Sequence, residues 1–195
     1  GIMLALMCFG LFKLNMHLGK PHRFYRGFNN LRHSPVSREI AGVSLFFAGL
    51  AGFSFCALLE TFDVLPLPDW LPALFATLGL LGAGFGGYYM YKLYRISARP
   101  FWNHWHTGAA FAGTALSLGS LLLALVALVS GVLTPGLGKT LAGIALLGLF
   151  IEGIGLVAHA RDLQGNGDEG AVSFYEQTTT HGNAYWLRNG LLAVA

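Results

Sequence analysis

The sequence predicts an all-α fold, a polytopic transmembrane helical bundle, from three observations. Hydrophobic residues make up 54% of the chain and charged residues only 11%, whereas a soluble domain is about 25% charged. The few charges cluster and leave uncharged apolar runs of roughly 20 residues, the length that crosses a bilayer core of about 30 Å. These runs are too long and too continuous for the short alternating strands of a transmembrane barrel.

The apolar runs divide a single transmembrane domain, residues 1–195, into six helical segments. We expect helices at about 1–18, 37–59, 70–94, 106–132, 140–160 and 185–195. Ser34 and Pro35 favour a helix beginning after them, because a hydroxyl can cap the first turn and proline is tolerated in it. Five glycines from Gly79 to Gly87 would let neighbouring helices approach closely. Both chain ends lie inside apolar runs, so the sequence looks truncated and we expect a further helix at each end.

Basic residues are concentrated on one predicted side of the membrane. This basic side comprises the segment 17–39, the loop around Arg95 and the loop after Arg161, whereas the opposite loops carry only Lys139. The positive-inside rule assigns the basic side to the cytoplasm. Docking of an acidic partner would favour the same residues, so the orientation stays open on charge alone.

Ionisable groups at the edges of the apolar runs are costly there, and each is therefore a candidate functional group. His17 ends the first run and Glu39 begins the next. Glu39 is either a carboxylate stabilised by the helix dipole and paired with Arg38 or Arg23, or a group that handles protons. His17 is either an interfacial side chain or a base for a bound hydroxyl, because imidazole titrates near neutral pH.

Four later residues have similar alternatives. Glu152 and His159 are seven residues apart and share one helix face, where they could form a proton path or a structural pair. Arg188 either extends its charge to the basic side or holds Glu39 or a ligand oxygen in place. Trp105 either belongs to an interfacial aromatic belt or stacks on a flat ring.

No pattern in the sequence indicates a resident metal or haem. A membrane haem would need His residues on facing helices at mid-membrane depth, and the His residues here lie in loops or near helix ends. Cys8 and Cys56 lie inside apolar runs, which indicates small buried residues and not ligands. The chain also lacks a Cys cluster for an iron–sulfur centre and a glycine-rich phosphate loop.

The segment HLGKPHRFYRGFNNLRHSPVSREIAGVSLFFA, residues 17–48, resembles the membrane anchor subunits of the dimethyl sulfoxide reductase family. The shared pattern is His-Leu-Gly-x-Pro-x-Arg, Asn-x-Leu, Ser-x-Glu-Ile-Ala and Ser-x-Phe-Phe-Ala. Weaker similarity continues through RPFWNHWHTGAAF and YWLRNGLLAVA, so that it covers most of the chain. Family anchors have about eight helices, of which this sequence would represent roughly six.

The resemblance implies a haem-free and metal-free anchor subunit of a molybdopterin oxidoreductase complex. Its partners would be a four-cluster iron–sulfur subunit and a molybdopterin catalytic subunit, with no nucleic acid involved. Its exchangeable substrate would be menaquinol or another quinol, and it would lie in a bacterial or archaeal cytoplasmic membrane. Well-known family members place their catalytic subunits outside that membrane, whereas the basic side here is predicted to be cytoplasmic.

The resemblance also implies particular site residues. The family's quinol-site His and Glu fall on His17 and Glu39, which would carry the chemistry, and a later Arg falls on Arg188. The expected quinone-binding residues are His17, Gly19, Pro21, Arg23, Glu39, Trp105 and Arg188. The residues expected to dock the iron–sulfur subunit are Lys20, Arg26, Arg32, Arg38, Arg95 and Arg99. The loop 19–36 would therefore serve both purposes.

Two alternatives remain open. One is an anchor of the polysulfide-reductase type, in which quinone chemistry is coupled to ion translocation and Glu152 and His159 would take part. The other is a small-solute transporter with the basic loop as its gate. Transporters usually contain repeats and broken helices at mid-membrane depth, and the sequence shows neither.

Overall fold

The computed structural model describes residues 1–166 and 169–194, and over these ranges all regular secondary structure is helical. The elements are α1 (Ile2–Met16), a 3₁₀ helix (Pro21–Phe28), α2 (Pro35–Thr61), α3 (Trp70–Tyr94), α4 (His106–Val129), α5 (Pro135–Asn166), α6 (Glu169–Thr178) and α7 (Gly182–Val194). The predicted all-α fold class is confirmed.

Four of the described helices, α2 to α5, are long and apolar enough to cross a membrane. Helix α1 and the 3₁₀ helix form a further candidate, but the chain bends by 103° between them. The predicted multi-pass helical membrane protein is therefore confirmed.

Several helix bounds differ from the predicted ones: α4 ends at Val129 and not at 132, α5 begins at Pro135 and not at 140, and α7 begins at Gly182 and not at 185. Helix α2 begins at Pro35 and not at 37, because Ser34 accepts a hydrogen bond from the Ser37 amide at 3.3 Å and caps the first turn. The segment 161–183, expected to be a polar loop, contains the end of α5 and all of α6. Hydropathy detects membrane spans, whereas Glu, Gln and Ala favour helices regardless of burial. Gly167 and Asp168 of that segment, and Ala195 of the last predicted helix, lie outside the described residues.

The helices form two compact units, Gly1–Leu93 and Tyr94–Ala195. In the first unit, α2 and α3 pack through glycines. A Cβ atom on Gly42 would collide with the backbone of Gly86, and one on Gly49 with the backbone of Gly79. The two helices therefore approach closely only because side chains are absent at these positions.

In the second unit, α4 and α5 pack antiparallel through small residues. A Cβ atom on Gly148 would lie 2.8 Å from the Ser117 amide nitrogen, and one on Gly155 would lie 2.8 Å from the Cβ of Ala109. Large side chains such as Leu118 point outward. Small residues thus form the interface and leave the bulky apolar ones for lipid.

Candidate functional site

In the first unit, His17 directly follows α1, and its ring is held by the backbone of the last turn of that helix. Its Nδ1 lies 2.8 Å from the Lys13 carbonyl oxygen. A carbonyl can only accept a hydrogen bond, so Nδ1 must carry the hydrogen. The Nε2 of the neutral ring is then an acceptor on an exposed side chain, which suits a base for a hydroxyl.

Glu39 lies in the second turn of α2 and is half-buried. Among the described residues, no Lys, Arg or His lies within ion-pair distance of its carboxylate. The pairing with Arg38 that the sequence suggested is absent from the described structure. A carboxylate at the start of a membrane span is thus left without a compensating cation.

Arg38 instead fastens the end of the basic loop to α2. Its guanidinium donates hydrogen bonds to the carbonyl oxygens of Leu31, at 2.8 Å, and Arg32. It also lies 5.1 Å from the centre of the Tyr89 ring on α3, within cation–π range. This predicted docking residue is therefore half-buried and already engaged within the first unit.

Most other residues of the loop are exposed. Pro21 begins the 3₁₀ helix, Gly19 precedes it with open space around it, and Arg23 is exposed. The 3₁₀ helix packs against α1 and α2. The docking residues predicted within the loop are exposed, namely Lys20, Arg26 and Arg32. His17 and Glu39 flank this loop, so the first unit carries most of the predicted site.

The second unit contains a cavity of about 260 Å³ that the sequence did not reveal. Six aromatic residues line it, namely Tyr94, Phe101, Trp102, Phe111, Phe174 and Tyr185. Its polar lining consists of His106, Thr107, His159, Gln177 and Arg188. Apolar walls with a few polar groups are typical of small-molecule sites.

His159 is the most unusual residue of this cavity. It is only 6% exposed and stacks on His106, with ring centres 4.8 Å apart and planes inclined by 19°. The rings of His104 and Phe101 lie 5.1 Å and 5.0 Å away. Among the described residues, neither nitrogen of His159 has a hydrogen-bond partner, and Nδ1 of His106 also lacks one. Each such buried group costs roughly 1–3 kcal/mol when it stays unsatisfied.

Arg188 and Trp105, both predicted to bind quinone, differ in position. Arg188 lines the cavity, donates to Asn189 Oδ1 at 3.0 and 3.2 Å and lies 5.3 Å from the centre of the Tyr185 ring. Trp105 is 45% exposed beside His104 and is not part of the cavity lining, whereas Trp102 is.

Glu152 and His159 both face α4. The Cβ of Glu152 lies against Gly113, and His159 lies against His106. The shared helix face is thus the α4 side of α5. Among the described residues, no group of three or more His, Cys, Asp or Glu has an arrangement that could hold a metal ion.

The last two predicted docking residues, Arg95 and Arg99, lie with His104 in the loop before α4. Arg95 donates to Asn103 Oδ1 at 3.0 Å, and Arg99 is exposed. Burial lowers the pKa of His104, with Asp162 opposing the shift and Arg95 adding to it. The Nδ1 of His104 accepts a hydrogen bond from the His106 amide at 3.1 Å, so this ring is neutral at the start of α4.

Sequence reasoning singled out His159 and Arg188 but missed the stacking of His106 on His159. The spacing of the two residues in the sequence does indicate this stacking. The two residues lie at nearly equal distances along the chain from the turn at 130–134. An antiparallel helix pair joined by a tight turn places such positions level with each other.

Comparisons with known proteins identify the family. A family model described as "DMSO reductase anchor subunit (DmsC)" matches residues 1–169. The C subunit of the anaerobic dimethyl sulfoxide reductase of Haemophilus influenzae is 31% identical over 164 residues, which cover 84% of this protein and 55% of that relative. The protein thus spans about half the length of this curated relative. No solved structure matches it. With its apolar spans and the matched range, the chain belongs to the DMSO reductase anchor subunit family.

Proposed function

We propose that the protein is the membrane anchor of a molybdopterin oxidoreductase complex, in which it binds quinol and delivers its electrons to a docked iron–sulfur subunit. Family membership, the four candidate spans and the exposed basic loop support this proposal. The partners bear the metal centres. The chain itself would bind the quinol, take up its protons and hold the partner close.

The unpaired carboxylate of Glu39 is the observation on which the proposed quinol site mainly rests. Oxidation of a quinol releases two protons with its two electrons, so the site needs bases beside the hydroxyl groups. Glu39 is half-buried with no cation in ion-pair contact among the described residues. His17 offers Nε2 as an acceptor because Nδ1 is bonded to Lys13. We assign one hydroxyl proton to each group.

The exposed residues of the loop provide the docking surface in this proposal. Lys20, Arg26 and Arg32 are free of ion pairs within the described residues and extend into solvent. A partner with an acidic surface would be attracted and oriented by them. Docking on the loop would bring the partner next to the quinol that releases the electrons.

The test uses Glu39→Gln and His17→Ala in the intact complex. Loss of a positioned base typically lowers a rate by a factor of about 10²–10⁴. We expect quinol-linked turnover to fall by about 100-fold, while an artificial electron donor still drives the catalytic subunit. Glu60→Gln is the control, since Glu60 is an exposed carboxylate at the other end of α2. Unchanged quinol oxidation in both site variants would refute the assignment.

A second candidate is an anchor that couples quinone chemistry to ion translocation. The observation in its favour is that Glu152 and His159 face α4 together. In this case Glu152→Gln should abolish proton release into the medium while electron transfer continues. Measurement of acidification by sealed vesicles during turnover separates this candidate from the first.

A further inference from the structure

We propose that, in addition to the site at His17 and Glu39, the cavity of the second unit binds the ring of a quinone or quinol, with His106, His159 and Arg188 contacting its oxygen atoms. The substrate class rests on the proposed function. The position and the two His residues are new, because the predicted site contains neither His106 nor His159 as a quinone-binding residue.

The size and walls of the cavity fit a flat ring. Its volume of about 260 Å³ is slightly below the range of roughly 300–1,000 Å³ found for ligand pockets. A single bicyclic ring fits that space, whereas a large macrocycle does not. Aromatic side chains pack against such a ring face to face with an offset or edge to face. Trp102 and Phe174 provide walls of this kind.

The stacked imidazoles require hydrogen-bonding partners that the described residues do not supply. Ring N–H groups and lone pairs lie in the ring plane, so His106 and His159 cannot satisfy each other across their stacked faces. A neutral imidazole offers one donor and one acceptor. A quinone supplies acceptors and a quinol supplies donors as well. The unpartnered nitrogens are closed off in the structure, so the rings must turn their edges toward the cavity before either redox form can pair with them.

The charge of the cavity also favours oxygen acceptors. No Asp or Glu belongs to its described lining, and Arg188 provides a positive charge. Two of the guanidinium N–H groups bond to Asn189. A guanidinium has five N–H groups, so three remain available for a carbonyl oxygen. Gln177 adds an amide that can donate or accept.

The experiment uses the intact complex in membranes and a photoreactive azidoquinone, with labelled peptides mapped by mass spectrometry. We expect labelling of peptides that contain Trp102 or Phe174. His159→Phe keeps the ring contacts but removes both nitrogens. It should reduce labelling of the cavity peptides about tenfold, which is the effect expected for the loss of one hydrogen bond.

His181→Phe is the matched control, because His181 is exposed between α6 and α7 and lies outside the cavity lining. It should label and turn over as the unmodified complex does. His159→Gln restores a donor and an acceptor and should recover part of the labelling. If His159→Phe fails to assemble, the inference is tested with His159→Gln and Arg188→Gln instead. Arg188→Gln is expected to lose labelling.

Labelling confined to residues outside the cavity would overturn the inference, and so would unaltered labelling in the His159 and Arg188 variants. The latter result would mean that the His nitrogens bond to water alone. Failure of the proposed function looks different. In that case the unmodified complex would oxidise no quinol and bind no azidoquinone, although an artificial donor still reduced its catalytic subunit.

Discussion

Glu39 and Arg38 show how neighbouring residues of opposite charge can act separately. A pair of this kind in sequence suggests a salt bridge, but a helix turns by about 100° per residue, so adjacent side chains point in different directions. Arg38 turns back to the carbonyl oxygens of the loop, while Glu39 remains without a cation in the described structure. The proposed proton acceptor and the residue that orders its loop are thus adjacent.

Arg38→Gln should loosen the loop before α2. Hydrogen bonds to charged groups contribute about 1.5–3 kcal/mol each, and Arg38 makes two to loop carbonyls. We expect faster hydrogen exchange of the amides in residues 29–34. Arg32→Gln is the control, because its side chain is exposed and only its carbonyl takes part. Equal protection in both variants would contradict the role of Arg38.

His104 should make the second unit sensitive to acid. Its folded pKa is lowered by burial, so protonation favours the unfolded state, and stability is lost as the pH falls below the ordinary value of about 6.5. Protonation would also remove the acceptor for the His106 amide at the start of α4. The midpoint of thermal unfolding, recorded between pH 8 and 5, measures this loss of stability. His104→Gln should flatten the pH dependence, whereas His33→Gln, an exposed residue of the first unit, should not.

At the level of helices, close packing decides which glycines matter. The sequence showed a run of glycines in α3 without distinguishing among them. In the structure, Gly82 lies directly against the backbone of Phe46 on α2, whereas Gly84 has open space around it. Two glycines separated by one residue therefore have different roles, because a helix rotates one towards its partner and the other away.

Gly82→Ala and Gly84→Ala should consequently have opposite effects on stability. The first places a methyl group against fixed backbone, and such overpacking costs about 1–3 kcal/mol. The second meets no atoms and gains helix propensity, up to about 1 kcal/mol. Denaturation in detergent micelles measures the difference in the free energy of unfolding. Equal effects of the two changes would show that α2 and α3 do not pack as described.

At the level of the whole molecule, the distribution of charge predicts how the complex assembles. Four exposed Lys and Arg residues lie on the loop of the first unit, and three of them are the predicted docking residues Lys20, Arg26 and Arg32. Interactions between exposed charges weaken with ionic strength, because the Debye length falls from about 10 Å at 0.1 M to about 3 Å at 1 M. Docking through this loop should therefore depend on salt.

Replacing these three cations together by Gln should let the anchor separate from its partners at lower salt than the unmodified protein does. Co-purification across a series of salt concentrations measures this. Lys139→Gln is the control, because Lys139 lies on α5 near the 130–134 turn, in the second unit. Identical salt dependence in the triple variant would exclude the loop as a docking surface.

The sequence alone determined the helical fold, the candidate spans and the family. These follow from the length of apolar runs and from motifs within one stretch of chain, and both are local properties. It also identified His17 and Glu39 as unusual, because ionisable groups at membrane spans are costly wherever they occur. It could not show that Arg38 leaves Glu39 without an ion-pair partner among the described residues, since that depends on the path of the loop.

Only the tertiary structure revealed the cavity of the second unit. Its lining comes from the loop before α4 and from helices far apart in the chain, and no local pattern encodes their meeting. The antiparallel packing of α4 and α5 through small residues brings His106 onto His159. The physical reason is that stacking and burial depend on the distance between helices, which is decided where Gly148 allows α4 to approach.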